Sequence, residues 1–191
     1  MRELTSSAIA CLCLLGGVFA TGSAADEPEA QRARSILTFR TMYGVDGPFV
    51  GDTNPVRGVI GDELPWEIAH TRGRLDSNGS LMILVRGLVF KDDPSVPPEL
   101  RGTNDESEFR GLVSCLTEED DKVVTKNVTT EGFPATPDGN SLIKAEIELP
   151  NPCVAPIVMV LAGSEDKWFA MTGFEAEEDQ KESFDAGQKP M

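Results

Sequence analysis

Thr71-Arg-Gly-Arg-Leu-Asp-Ser-Asn-Gly-Ser-Leu-Met-Ile-Leu-Val-Arg-Gly-Leu-Val-Phe90 decides the fold class. Thr71 to Leu75 leads into Asp76-Ser77-Asn78-Gly79, and an apolar run from Ser80 to Phe90 follows. Asn-Gly between two such arms is the strongest short-range hairpin cue, because a type I′ turn needs positive φ at both central residues. The expectation is therefore an antiparallel hairpin turning at Asn78-Gly79. Its second arm, from Leu81 to Phe90, is apolar on both faces apart from Arg86. That composition reads as a central strand buried on both sides.

Outward from the hairpin, strand-like runs recur at short intervals. Ile36 to Met42 has strand composition, and a stretch from Gly44 to Pro65, dense in Gly and Pro, reads as turns and irregular loop. After a proline loop from Lys91 to Pro98 come Phe109–Leu116, Val123–Thr130, Ser141–Leu149, Val154–Leu161 and Trp168–Phe174. Ile143-Lys-Ala-Glu-Ile-Glu-Leu149 alternates apolar and charged, the period of a sheet with one wet face. Val154–Leu161 is nearly continuously apolar and reads as central, with Pro156 requiring a bulge or an early position. Short strands at this spacing with little helical periodicity predict an all-β antiparallel sandwich, immunoglobulin-like or similar, with a small β-barrel as the alternative.

The ends carry a different signal. Arg2, the apolar stretch Ala8–Ala20 and the small residues Gly22-Ser-Ala-Ala25 have the order of an export signal, cut after Ala24 or Ala25. The apolar stretch falls short of the roughly 20 residues a membrane span requires. The expected organisation is a signal peptide at 1–24, a polar lead-in at 25–35, a single β domain at 36–174 and a disordered acidic tail at 175–191. The destination is secreted or periplasmic, with no stable membrane span after cleavage.

Of four cysteines, Cys11 and Cys13 leave with the signal. Cys115 and Cys153 remain and are expected to form one disulfide in an oxidising compartment, joining either two sheets or two neighbouring strands. The net charge of −15 argues against nucleic acid and anionic membranes as partners. An envelope or extracellular partner is left open.

No catalytic set stands out. His70 is the single histidine, in Trp66-Glu-Ile-Ala-His-Thr-Arg72, so every triad would depend on it. One histidine also excludes a blue-copper site, and two distant cysteines make a poor zinc site. Asp92-Asp93, Asp105-Glu-Ser-Glu108 and Glu118-Glu-Asp-Asp121 are acidic, but no D-x-D-x-D-G calcium loop occurs. Catalytic, cofactor-binding and metal-binding residues are accordingly expected to be none, and no cofactor is assigned. Asn78-Gly-Ser80 and Asn127-Val-Thr129 match the glycosylation sequon, with use unassigned.

Thr41-Met-Tyr-Gly-Val-Asp-Gly-Pro-Phe49, Asn54-Pro-Val-Arg-Gly58, Leu64-Pro-Trp66, Val85-Arg-Gly-Leu-Val89, Val113-Ser-Cys-Leu116, Pro152-Cys153, Pro156-Ile157 and Trp168-Phe-Ala-Met-Thr-Gly173 together resemble a group of small exported bacterial proteins. The resemblance spans about residues 36–174. It implies a single exported domain and a bacterial source, and it brings no activity, ligand or catalytic residue with it. Three functional readings result. The first is a non-catalytic binding or structural module of the cell envelope or secreted milieu. The second is an extracellular hydrolase using carboxylates or a divalent metal, which requires Asp92, Asp93, Asp105, Glu108 and Asp121 to meet around one cleft. The third is recognition through the loop from Tyr43 to Trp66, which requires its aromatic residues to cluster in solvent.

Overall fold

A computed structural model describes residues 33–173. The expected signal peptide, most of the polar lead-in and the acidic tail at 175–191 lie outside the described residues. The strands are β1 (Ser35–Phe39), β2 (Tyr43–Gly44), β3 (Ile60–Gly61), β4 (Trp66–Asp76), β5 (Ser80–Phe90), β6 (Glu108–Glu119), β7 (Lys122–Pro134), β8 (Ser141–Glu146), β9 (Val154–Ala162) and β10 (Lys167–Met171). One sheet has the order β1-β4-β5-β8, and the other has β2-β10-β9-β6-β7 with β3 pairing β10 in parallel. The two sheets pack face to face as an all-β sandwich and do not close into a barrel.

Alternation along each strand fills the space between the sheets. Leu81, Ile83, Val85 and Ile143 from the first sheet meet Phe109, Val113, Val158 and Val160 from the second, all buried. Gly111 of β6 faces this layer, and a Cβ there would come within 3.2–3.4 Å of Leu81, Ile143 and Ile83. The missing side chain lets the sheets approach. At one end the indole of Trp66 stacks on Phe169 with centroids 3.9 Å apart and lies 4.2 Å from Phe90. Phe109 meets Phe169 edge-on at 5.9 Å.

The hairpin forms where expected, but its turn is of another kind. Leu75 pairs with Leu81, which leaves Ser77, Asn78 and Gly79 as a three-residue loop. The Asp76 carbonyl accepts from the Gly79 N–H at 2.9 Å, and within the loop only Gly79 has positive φ, at 89°. This is the pattern of a longer hairpin loop closing on a left-handed glycine. A two-residue turn with positive φ at both centres does occur, at Arg57-Gly58 (φ 53° and 81°), where Val56 and Val59 exchange both backbone hydrogen bonds.

Ile36–Met42 does not form one strand. Phe39 stays with the first sheet, its ring seated over Gly73 of β4, while Tyr43–Gly44 pairs with β10 in the second sheet. The chain therefore crosses between sheets around residues 40–42. The burial expected on both sides of β5 holds at Leu88–Phe90 and fails from Leu81 to Arg86. Leu81, Ile83 and Val85 are buried, whereas Met82 is 37% exposed, Leu84 half-buried and Arg86 exposed. β5 is central in its sheet, but its outer face is open from Met82 to Arg86, and only the Leu88–Phe90 end is closed in, beside Gly102 and Gly139.

β9 is different. Val158 to Ala162 are buried throughout, on both faces. Residues 45–64 lie over the outer side of this sheet: Phe49 packs on Trp168 at 6.3 Å, the Asp62 N–H donates to the Trp168 carbonyl, and Arg57 Nη2 donates to the Ala155 carbonyl. The bulge expected near Pro156 is present, with Ala155 and Pro156 opposite Cys115. Cys115 and Cys153 are bonded. Because β6 and β9 are adjacent, the bridge joins neighbouring strands of one sheet rather than two sheets.

Gly73 tests the seat of β1. A Cβ at Gly73 would lie 2.0 Å from Cζ of Phe39, so Gly73→Ala must displace the ring. Overpacking of this kind costs about 1–3 kcal/mol. Urea unfolding followed by tryptophan fluorescence should show that loss, and an unchanged midpoint would mean that Phe39 is not seated on β4.

Candidate functional site

The carboxylates that a hydrolase would need do not converge. Glu108 opens β6 and Asp121 follows its far end, and a strand of 12 residues separates such positions by roughly 40 Å. Asp92 pairs with Arg101 at 3.5 Å, and the Asp93 carboxylate accepts from the Ser95 N–H and hydroxyl. These are turn-stabilising roles. The loop from Tyr43 to Trp66 is likewise an ordered cover. Trp66 is buried, Tyr43 and Phe49 pack on the core, and the two rings meet edge-on at 6.3 Å.

One acidic cluster does form, at the surface where that cover meets β10. Single carboxylate oxygens of Asp62, Glu63 and Glu165 lie within 4.8 Å of one another. The ammonium of Lys167 bonds both Glu63 and Glu165, so the cluster contains its own cation. Burial alone would lower the Lys167 pKa, but the hydrogen bonds to Glu165 and Glu63 outweigh it and push it up to about 12. Asp62 is buried, and its Oδ2 accepts from Trp66 Nε1 at 2.9 Å and from the Leu64 N–H at 3.3 Å. Burial raises its pKa above the ordinary carboxylate range, against the lowering effect of those hydrogen bonds. The cluster fixes Trp66 against the sandwich, which is a structural task.

The surface with no structural task is the outer face of β1-β4-β5-β8. Cross-strand register sets its side chains in rows. Thr38, Arg74, Met82 and Lys144 form one row; Arg72, Leu84 and Leu142 form the next; His70 lies opposite Arg86 in the third. Met82 and Leu142 are 37% and 45% exposed, so the centre is an open apolar strip. Arg72, Arg74, Arg86 and Lys144 surround it, all exposed. Arg74 is paired with Asp76, while Arg72, Arg86 and Lys144 form no ion pair among the described residues. Glu146, opposite Ser80, lies at one margin of the face.

Rows of cations are unexpected on a chain of net charge −15. Neighbours along one face of a strand are about 7 Å apart and adjacent strands about 5 Å apart, close enough for like charges to destabilise the sheet. The chain has 32 acidic residues against 17 basic ones, yet it gathers four cations on this face, with Arg72 and Arg74 as neighbours along β4 and Arg86 and Lys144 on the next two strands. Arg72 and Arg74 alternate with buried Thr71, Gly73 and Leu75, a pattern visible in the sequence. What the sequence hides is the register that brings Arg86, Leu142 and Lys144 beside them.

His70 is exposed on this face with Arg86 as its cross-strand neighbour, an unsuitable setting for a triad. Asn78 sits in the hairpin turn, and Asn127 Nδ2 donates to the Arg57 carbonyl. Comparison of the chain with family models, with curated proteins and with solved structures found no match.

The raised pKa of Asp62 has a definite sign. Its folded-state value exceeds the unfolded one, so its contribution favours folding at low pH and is lost as pH rises through the raised value. Asp62→Asn keeps an acceptor for Trp66 and removes the buried charge. Thermal melts should show the variant more stable than the wild type at about pH 7, with the difference closing toward about pH 3. A wild type that is the more stable at neutral pH would show that Lys167 outweighs the burial cost.

Proposed function

We propose that this protein is an exported, non-catalytic binding module of the cell envelope or secreted milieu, and that it binds through the outer face of β1-β4-β5-β8. One observation carries this reading: the apolar strip Met82–Leu84–Leu142 is left open inside a frame of exposed cations, of which Arg72, Arg86 and Lys144 form no ion pair among the described residues. The same chain covers the outer side of its other sheet with residues 45–64. Leaving this face bare costs exposure of apolar area beside cations without counter-ions, and a bound partner would relieve both. Export and a bacterial source belong to the same proposal. They are supported by the signal-like order of residues 1–24 with its apolar stretch Ala8–Ala20, by the resemblance of residues 36–174 to exported bacterial proteins, and by a disulfide suited to an oxidising compartment.

The test is the size of the protein in a gentle extract of its native envelope or culture medium. It should elute as part of a larger species, and Leu84→Ser with Leu142→Ser should shift it to the monomer position. These half-buried and exposed positions change stability by only about 0.5 kcal/mol, which circular dichroism would verify. A wild-type protein that elutes as a monomer, or a double variant that still elutes in the complex, would refute the proposal.

A further inference from the structure

We infer that the partner of this face is an acidic polypeptide segment carrying apolar side chains; this rests on reading the outer face of β1-β4-β5-β8 as the binding surface. The chemistry of the rows selects it. Met82, Leu84 and Leu142 need apolar side chains to cover them, and the cations beside them need anions within a few ångströms. Arg72 and Arg86 present guanidinium groups, whose planar donors suit carboxylates. A ligand matching both features has carboxylates around apolar groups, which a polypeptide offers at the same spacing as a sheet.

The size of the face decides between that and an extended polyanion. Four cations are confined to three adjacent strands, and acidic groups bound them. Asp76 and Glu146 lie at the hairpin end. At the other end, beyond Gly87, a shallow depression is lined by Glu67, Ala69, Val89 and Asp138. A membrane surface or a nucleic acid would overrun the basic rows and meet a protein of net charge −15, which repels it. A short acidic segment fits within the rows and meets only the cations. Nor is the face a cleft that could enclose a small molecule, since its floor is the pleated surface of β4, β5 and β8.

Calorimetric titration of the full chain with synthetic probes tests the assignment. A short peptide of alternating glutamate and leucine should bind, a peptide of alternating lysine and leucine should not, and phosphatidylglycerol vesicles should not. R72E/R86E should weaken the glutamate–leucine peptide by about tenfold or more per reversed charge, and added salt should weaken it further. Leu142→Ser should weaken it without changing the salt dependence. Equal binding of both peptides, binding of vesicles in place of the acidic peptide, or no response to R72E/R86E would overturn the inference. If the acidic peptide fails while the native complex still depends on Leu84 and Leu142, the partner chemistry is wrong and the binding face stands. If the native complex is also absent, both fall.

Discussion

The stack of Trp66 on Phe169 is the contact on which the rest of the architecture depends. Trp66 begins β4 in one sheet and Phe169 lies in β10 of the other, and their rings are 3.9 Å apart and nearly parallel. The indole N–H is held by Asp62, which belongs to the covering segment. A single side chain therefore ties both sheets and the cover together. Aromatic pairs of this kind add about 0.5–1.5 kcal/mol beyond the area they bury. The buried carboxylate of Asp62 is tolerated because it satisfies an indole that would otherwise be an unpaired buried donor.

Much of this was legible in the residues, and the failures have physical causes. The strand-like runs placed β6 to β10 near their observed bounds. The alternation at Ile143–Glu148 survives as alternating burial. Asn78-Gly79 marked a hairpin correctly, but the arms set the register and the left-handed requirement fell on Gly79 alone. Two-residue turns with positive φ at both centres fell instead at Arg57-Gly58, inside a stretch that reads as loop, and at Asp120-Asp121 between β6 and β7. Local cues give the place of a turn better than its type, because type depends on which residues the strands claim.

β5 and β9 show a different limit. Both are almost continuously apolar, yet β9 is buried on both faces from Val158 to Ala162 while β5 is buried on one face from Leu81 to Arg86. What separates them is a distant segment, residues 45–64, which lies over one sheet and leaves the other open. Composition alone cannot allocate a cover. The net charge of −15 conceals the basic face in the same way: a sum over the chain carries no information about which residues share a row. Arg72 and Arg74 were visible as an alternating pair, but the frame exists only once β4, β5 and β8 are set in register.

The disulfide has a topological meaning beyond its place in one sheet. Cys115 and Cys153 close a covalent ring that contains β7 and β8, and these strands belong to opposite sheets. The exposed turn at Asp120-Asp121, where both residues have positive φ, lies inside that ring. A protease cutting there would open the backbone without releasing a fragment, since the two halves would remain joined through sulfur. Such a chain can be nicked at that exposed turn and still hold both sheets together.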